Sequence, residues 1–78
     1  MTKKEAIKII LADKENYKGT LNYAINYCRA ALHMDEDSDA FRVQVLYILN
    51  NIPYWRHPKA KEVREVLKKK NLKKKGRI

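Results

Sequence analysis

A disulfide inside this chain is excluded, because Cys28 is the only cysteine among its 78 residues. One unpaired thiol suits a reducing compartment better than a secreted one, so the expected location is the cytoplasm. Glycine is almost missing as well. Gly19 and Gly76 are the only two, which leaves no glycine-rich loop to cradle a phosphate. Long apolar runs are absent: the longest, Val45 to Leu49, is far from the roughly 20 apolar residues of a membrane helix. The opening MTKKEAIKIIL has charges but no apolar stretch of the length a signal peptide needs.

The residues that perform catalysis or bind metals are equally sparse. His33 and His57 are the only histidines and stand far apart, and Cys28 has neither at a ligand spacing, so no zinc site is expected. No Ser/His/Asp pattern is visible. The stretch Asp35-Glu36-Asp37-Ser38-Asp39 has the start of a calcium loop, but such a loop needs glycine at its sixth position and glutamate at its twelfth. Those positions hold Ala40 and Leu46. The acids read better as charge at a helix start. No catalytic residue, metal or cofactor is expected, and the chain is not expected to be an enzyme.

What the sequence does have is base, placed unevenly. Residues 1–55 hold seven bases and seven acids. Residues 56–78 hold eleven bases against only Glu62 and Glu65, and so carry the whole net charge of +9. A neutral body with a cationic last third suggests contact with nucleic acid or an acidic protein. An anionic membrane is a weaker expectation, because the apolar stripe beside these bases is narrow.

The body reads as four short helices, an all-α domain over residues 1–72 with a basic tail at 73–78. Thr2-Lys3-Lys4-Glu5 forms a capping box, and Ala6, Ile7, Ile10 and Leu11 give the first helix a buried face from about residue 3 to about 14. Asn16 to Gly19 breaks it, and Thr20 is expected to cap a second helix. There Leu21, Ala24, Ile25, Cys28, Ala31 and Leu32 make the cleanest apolar face of the chain. Tyr23 and Tyr27 are expected to close its rim. The third segment keeps Phe41, Val45, Ile48, Leu49 and Ile52 at helical spacing, although Phe41, Val43, Val45 and Tyr47 also alternate as in a strand. Helix is preferred, since no second strand exists to pair with one. Asp37 or Ser38 would cap it. Pro53 closes this helix and Pro58 opens a fourth, with Ala60, Val63, Val66 and Leu67 facing inward. Asn71 and Leu72 suit a folded-back ending, and residues 73–78 are expected to be disordered.

The segment Pro53-Tyr54-Trp55-Arg56-His57-Pro58 connects the neutral body to the basic third. Exposed, Tyr54 and Trp55 would stack on bases while Arg56 meets phosphate. Buried, Trp55 would plug the core, and that reading is preferred for a domain short of core volume. A helix-turn-helix would aim His57, Lys59, Lys61 and Arg64 into a major groove, but the connection from Ile52 to His57 exceeds its usual 3–4-residue turn. The residues carried forward as nucleic-acid-binding candidates are Trp55, Arg56, Lys59, Lys61, Arg64, Lys68, Lys69, Lys70, Lys73, Lys74, Lys75 and Arg77. DNA or RNA held by its backbone is the expected partner. The competing expectation is a protein–protein interaction module, a dimer or an inhibitor or regulator of a larger complex, whose lysine tail only keeps it in solution. A homodimer is also expected, because the apolar surfaces of the first and third helices exceed what one small core covers.

Overall fold

The computed structural model describes residues 1–69. Four helices form: α1 (Lys3–Ala12), α2 (Ala24–Ala31), α3 (Asp39–Asn50) and α4 (Ala60–Lys68), with a short 3₁₀ turn at Lys14–Asn16. No strand occurs among the described residues. In the third segment the helical spacing prevails over the alternation, and Phe41, Val45, Ile48 and Ile52 all enter the core. The fold is all-α.

Each helix contributes one stripe to a single core. α1 supplies Ala6, Ile7 and Ile10; α2 supplies Ala24, Ile25, Cys28 and Ala31; α4 supplies Ala60, Val63 and Leu67. Leu21 and Trp55 join them from the connections. α1 packs on α2 and α4, while α3 packs on α2 and more lightly on α4. The helices therefore form a ring in which α2 and α4 stand diagonally. This arrangement governs where charge and aromatic surface end up.

Local capping starts α1 and α3. The Glu5 amide donates to Thr2 Oγ1 at 3.0 Å and the Thr2 amide donates to Glu5 Oε1 at 2.7 Å, which completes the capping box. The amide of Phe41 donates to Ser38 Oγ at 3.1 Å, so Ser38 rather than Asp37 is the cap of α3. The acidic stretch has structural work spread along it. Asp35 accepts from the Asp37 amide at 3.0 Å, and Asp39 pairs with Arg42 one turn on. Glu36 reaches across the chain to accept the Lys3 amide at 3.0 Å, setting a carboxylate at the positive end of α1.

The boundaries differ from expectation in three places. α1 stops at Ala12, because the Asp13 amide turns back to the Ile10 carbonyl at 3.1 Å and opens a run of tight turns. α2 begins at Ala24, not after Thr20. The chain from Asn16 to Ala24 is held by short-range bonds, with the Gly19 and Leu21 amides sharing the Asn16 carbonyl. Thr20 caps nothing, and its Oγ1 is buried without a hydrogen-bond partner. Gly19 has no positive φ and open space where a Cβ would stand, so its lack of a side chain is not what this turn requires. α4 starts at Ala60, two residues after Pro58, which sits in the turn leading to it. The folded-back ending at Asn71 and Leu72, the domain boundary after residue 72 and the disordered tail at 73–78 fall outside the described residues.

Cys28 is fully buried between helices. Burial alone pushes its thiol up to about 12, so almost no thiolate exists at neutral pH. Alkylation of the native protein by iodoacetamide should proceed orders of magnitude more slowly than in denaturant. A native rate equal to the denatured rate would show that the helix stripe opens freely.

Candidate nucleic-acid interface

The connection from Asn51 to Lys59 turns only two of its side chains into the core. Ile52 and Trp55 point inward while Pro53, Tyr54, Arg56 and Pro58 are exposed. Trp55 is only 1 % exposed. Its indole Nε1–H donates to Asp13 Oδ2 at 2.7 Å, and the imidazole of His57 stacks on the indole with centroids 5.3 Å apart. Asp13 also accepts from Asn16 Nδ2 at 2.8 Å. The bond from Trp55, then that from Asn16, hold the Asp13 carboxyl below its ordinary range. Trp55 is thus corrected from a stacking candidate to a core residue: neither ring face is open to a base. The indole fills the space where the connection crosses the end of α1.

Arg64 needs the same correction. Its Nη2 donates to the carbonyls of Ile52 at 2.9 Å and Trp55 at 2.7 Å. The guanidinium folds back over the connection, giving the Trp55 carbonyl its partner and adding a second bond to the Ile52 carbonyl, which also accepts the Trp55 amide at 3.2 Å. A sequence signal for this was present. Arg64 lies four residues after Ala60 and three before Leu67, within the apolar stripe, where an arginine buries its stem and uses its head locally. His57, stacked on Trp55 and accepting the Lys59 amide on Nδ1 at 3.0 Å, is likewise engaged in the connection. A groove-reading helix would lose both residues from its forward edge.

The bases left facing outward are Arg56, Lys59, Lys61, Lys68 and Lys69. None of them forms an ion pair with a described residue. Glu62 and Glu65 are exposed on the same helix and reduce the local charge without being paired to it. Tyr54, two residues before Arg56 in the connection, is 79 % exposed. It is the aromatic of this segment that remains free to stack. Tyr54 lies between inward Ile52 and Trp55 and is itself outward, a pattern readable only once the connection is known to pack. Lys70, Lys73, Lys74, Lys75 and Arg77 lie outside the described residues.

Among the described residues no group of three His, Cys, Asp or Glu side chains stands where it could hold a metal ion. No helix among them is long and apolar enough to cross a membrane. Comparison with known proteins found no matching family, curated protein or solved structure.

Proposed function

We propose that the chain binds nucleic acid through the phosphate backbone, with little readout of sequence, using the outer face of α4 and the bases that follow it. The observation that carries this reading is the segregation of charge. The packed body through Trp55 is neutral, while the exposed bases of the last third, in the connection and along α4, form no ion pair with a described residue, and the sequence continues into five more bases without an acid. Unpaired lysines with mobile side chains are suited to neutralising phosphates and releasing counterions, and their contacts carry no base information. Tyr54, two residues before Arg56, adds an exposed stacking surface, which favours unpaired bases over a closed duplex.

The test is fluorescence anisotropy at low salt with labelled oligonucleotides of unrelated sequence, single-stranded and duplex. Affinities should agree within a few-fold across sequences of one kind. Tyr54→Ala should weaken single-strand binding by about 1–3 kcal/mol and leave duplex binding unchanged. Absence of binding to every oligonucleotide at low salt would overturn the proposal.

A further inference from the structure

Two stretches of this chain hold no charged residue, positions 19–28 and 43–55, although charged residues make up 35 % of the whole. α2 and α3 bring them together. Their inward halves build the core, and their outward halves meet along the α2–α3 seam. On the outside of these two segments Tyr23 is 74 % exposed and Leu46 58 % exposed, and Tyr27, Val43 and Tyr47 are exposed as well. The rings of Tyr27 and Tyr47 meet across the helix seam with centroids 5.4 Å apart. Gln44 Nε2 donates to the Tyr27 carbonyl at 3.0 Å, and Asn51 Nδ2 donates to the Tyr47 carbonyl at 2.8 Å. The seam is therefore pinned in place before anything docks on it. Tyr23 and Tyr27 do not close the rim of the core as their spacing suggests; they extend this outer face. The surplus apolar surface lies on α2 and α3, not on α1, whose Ile9 and Leu11 pack against the core.

We infer that this face is the interface of a two-fold symmetric homodimer. Charge selects the partner first. Each copy carries +9, so two copies can approach closely only through a surface that holds none of it. α4 stands diagonally across the ring from α2 and packs only lightly on α3, so the cationic helix of each copy lies off the α2–α3 seam. A nucleic-acid partner would need bases here to meet its phosphates, and an oppositely charged protein would need complementary charge; the face provides neither. Chemistry selects it second. A symmetric interface must complement itself, and the phenol and carboxamide groups of Tyr23, Asn22 and Asn26 are both donors and acceptors, so identical groups can pair across the axis. Size agrees as well. The five apolar side chains leave about 500 Å² open, taking about 200 Å² for a whole aromatic residue. The exposed asparagines beside them bring the face toward the roughly 800 Å² per subunit of a standard interface. Aromatic enrichment with depleted charge is the composition of an interface core.

The dimer stands or falls without nucleic acid, so its test is separate from that of the proposed function. Sedimentation equilibrium on the full chain, from about 1 µM to several hundred micromolar, should show monomer passing to dimer with a micromolar dissociation constant. Leu46→Glu and Tyr23→Glu each place like charges across the axis and should weaken dimerisation at least tenfold, with circular dichroism showing unchanged helix content. Lys61→Glu, on the opposite side, should leave the dimer intact. A monomer mass for the wild type at several hundred micromolar overturns the inference. So does a dimer indifferent to both substitutions, or loss of oligonucleotide binding in Tyr23→Ala while the dimer persists, which would assign the face to bases.

Discussion

Trp55→Ala should destabilise the protein by about 3–5 kcal/mol, the range for removing a large aromatic from a core. Domains of this size hold only about 4–12 kcal/mol in total, so the variant should be marginal or unfolded at room temperature. The indole is the largest fully buried side chain, and it joins parts of the chain 42 residues apart through its bond to Asp13. Urea denaturation followed by circular dichroism reads the loss as a lower midpoint. In the intact protein, Trp55 emission should be blue-shifted and insensitive to added oligonucleotide. Red, solvent-like emission quenched by single-stranded DNA or RNA would return Trp55 to the binding face.

The same contact sets an expectation for acid. Asp13 has its folded-state carboxyl held below the ordinary value of 3.8, mainly by the Trp55 bond. A depressed carboxyl stabilises the fold fully above its unfolded value, and that contribution is lost as pH falls through the folded value. Stability should therefore be level in this respect at neutral pH and decline only under acid conditions. Asp13→Asn keeps an acceptor for the indole and should remove this part of the decline.

The second large effect is on salt dependence. If Lys68, Lys69, Lys70, Lys73, Lys74, Lys75 and Arg77 all neutralised duplex phosphates, log K would fall against log salt with a slope near about −6. Seven simultaneous contacts would require every one of these side chains to meet a phosphate at once, so fewer should engage, and the expected slope is about −3 to −5 for unrelated sequences. Ending the chain after Leu72 removes Lys73, Lys74, Lys75 and Arg77, and should flatten the slope by about three units. The fold should survive, because every buried residue among those described lies at or before Leu67. A truncated chain that binds with the full slope would place the phosphate contacts on the helical body instead.

How much of this was legible in the sequence depended on range. Whatever rests on neighbours three or four residues apart could be read directly. The stripes Ala6–Ile7–Ile10, Ala24–Ile25–Cys28–Ala31 and Ala60–Val63–Leu67 are buried as their spacing indicates, and Thr2 with Glu5 and Ser38 cap as their positions indicate. The partition of charge at Arg56 is likewise a property of the chain alone. Spacing failed where a residue answers to something distant. Glu36 reaches Lys3 and Asp13 reaches Trp55, partners 33 and 42 residues away, and no local pattern encodes either pair. The place of Arg64 within the stripe of α4 hinted that its head is used locally, but the two carbonyls it meets, nine and twelve residues earlier, were set only by the packed connection. Tyr23 and Tyr27 flank the apolar stripe of α2, and spacing alone gives them to the rim of the core. Only the ring order of the helices decided otherwise. With α1 and α4 covering one side of α2 and α3, nothing in the described chain is left to cover the other, and the tyrosines stay outside.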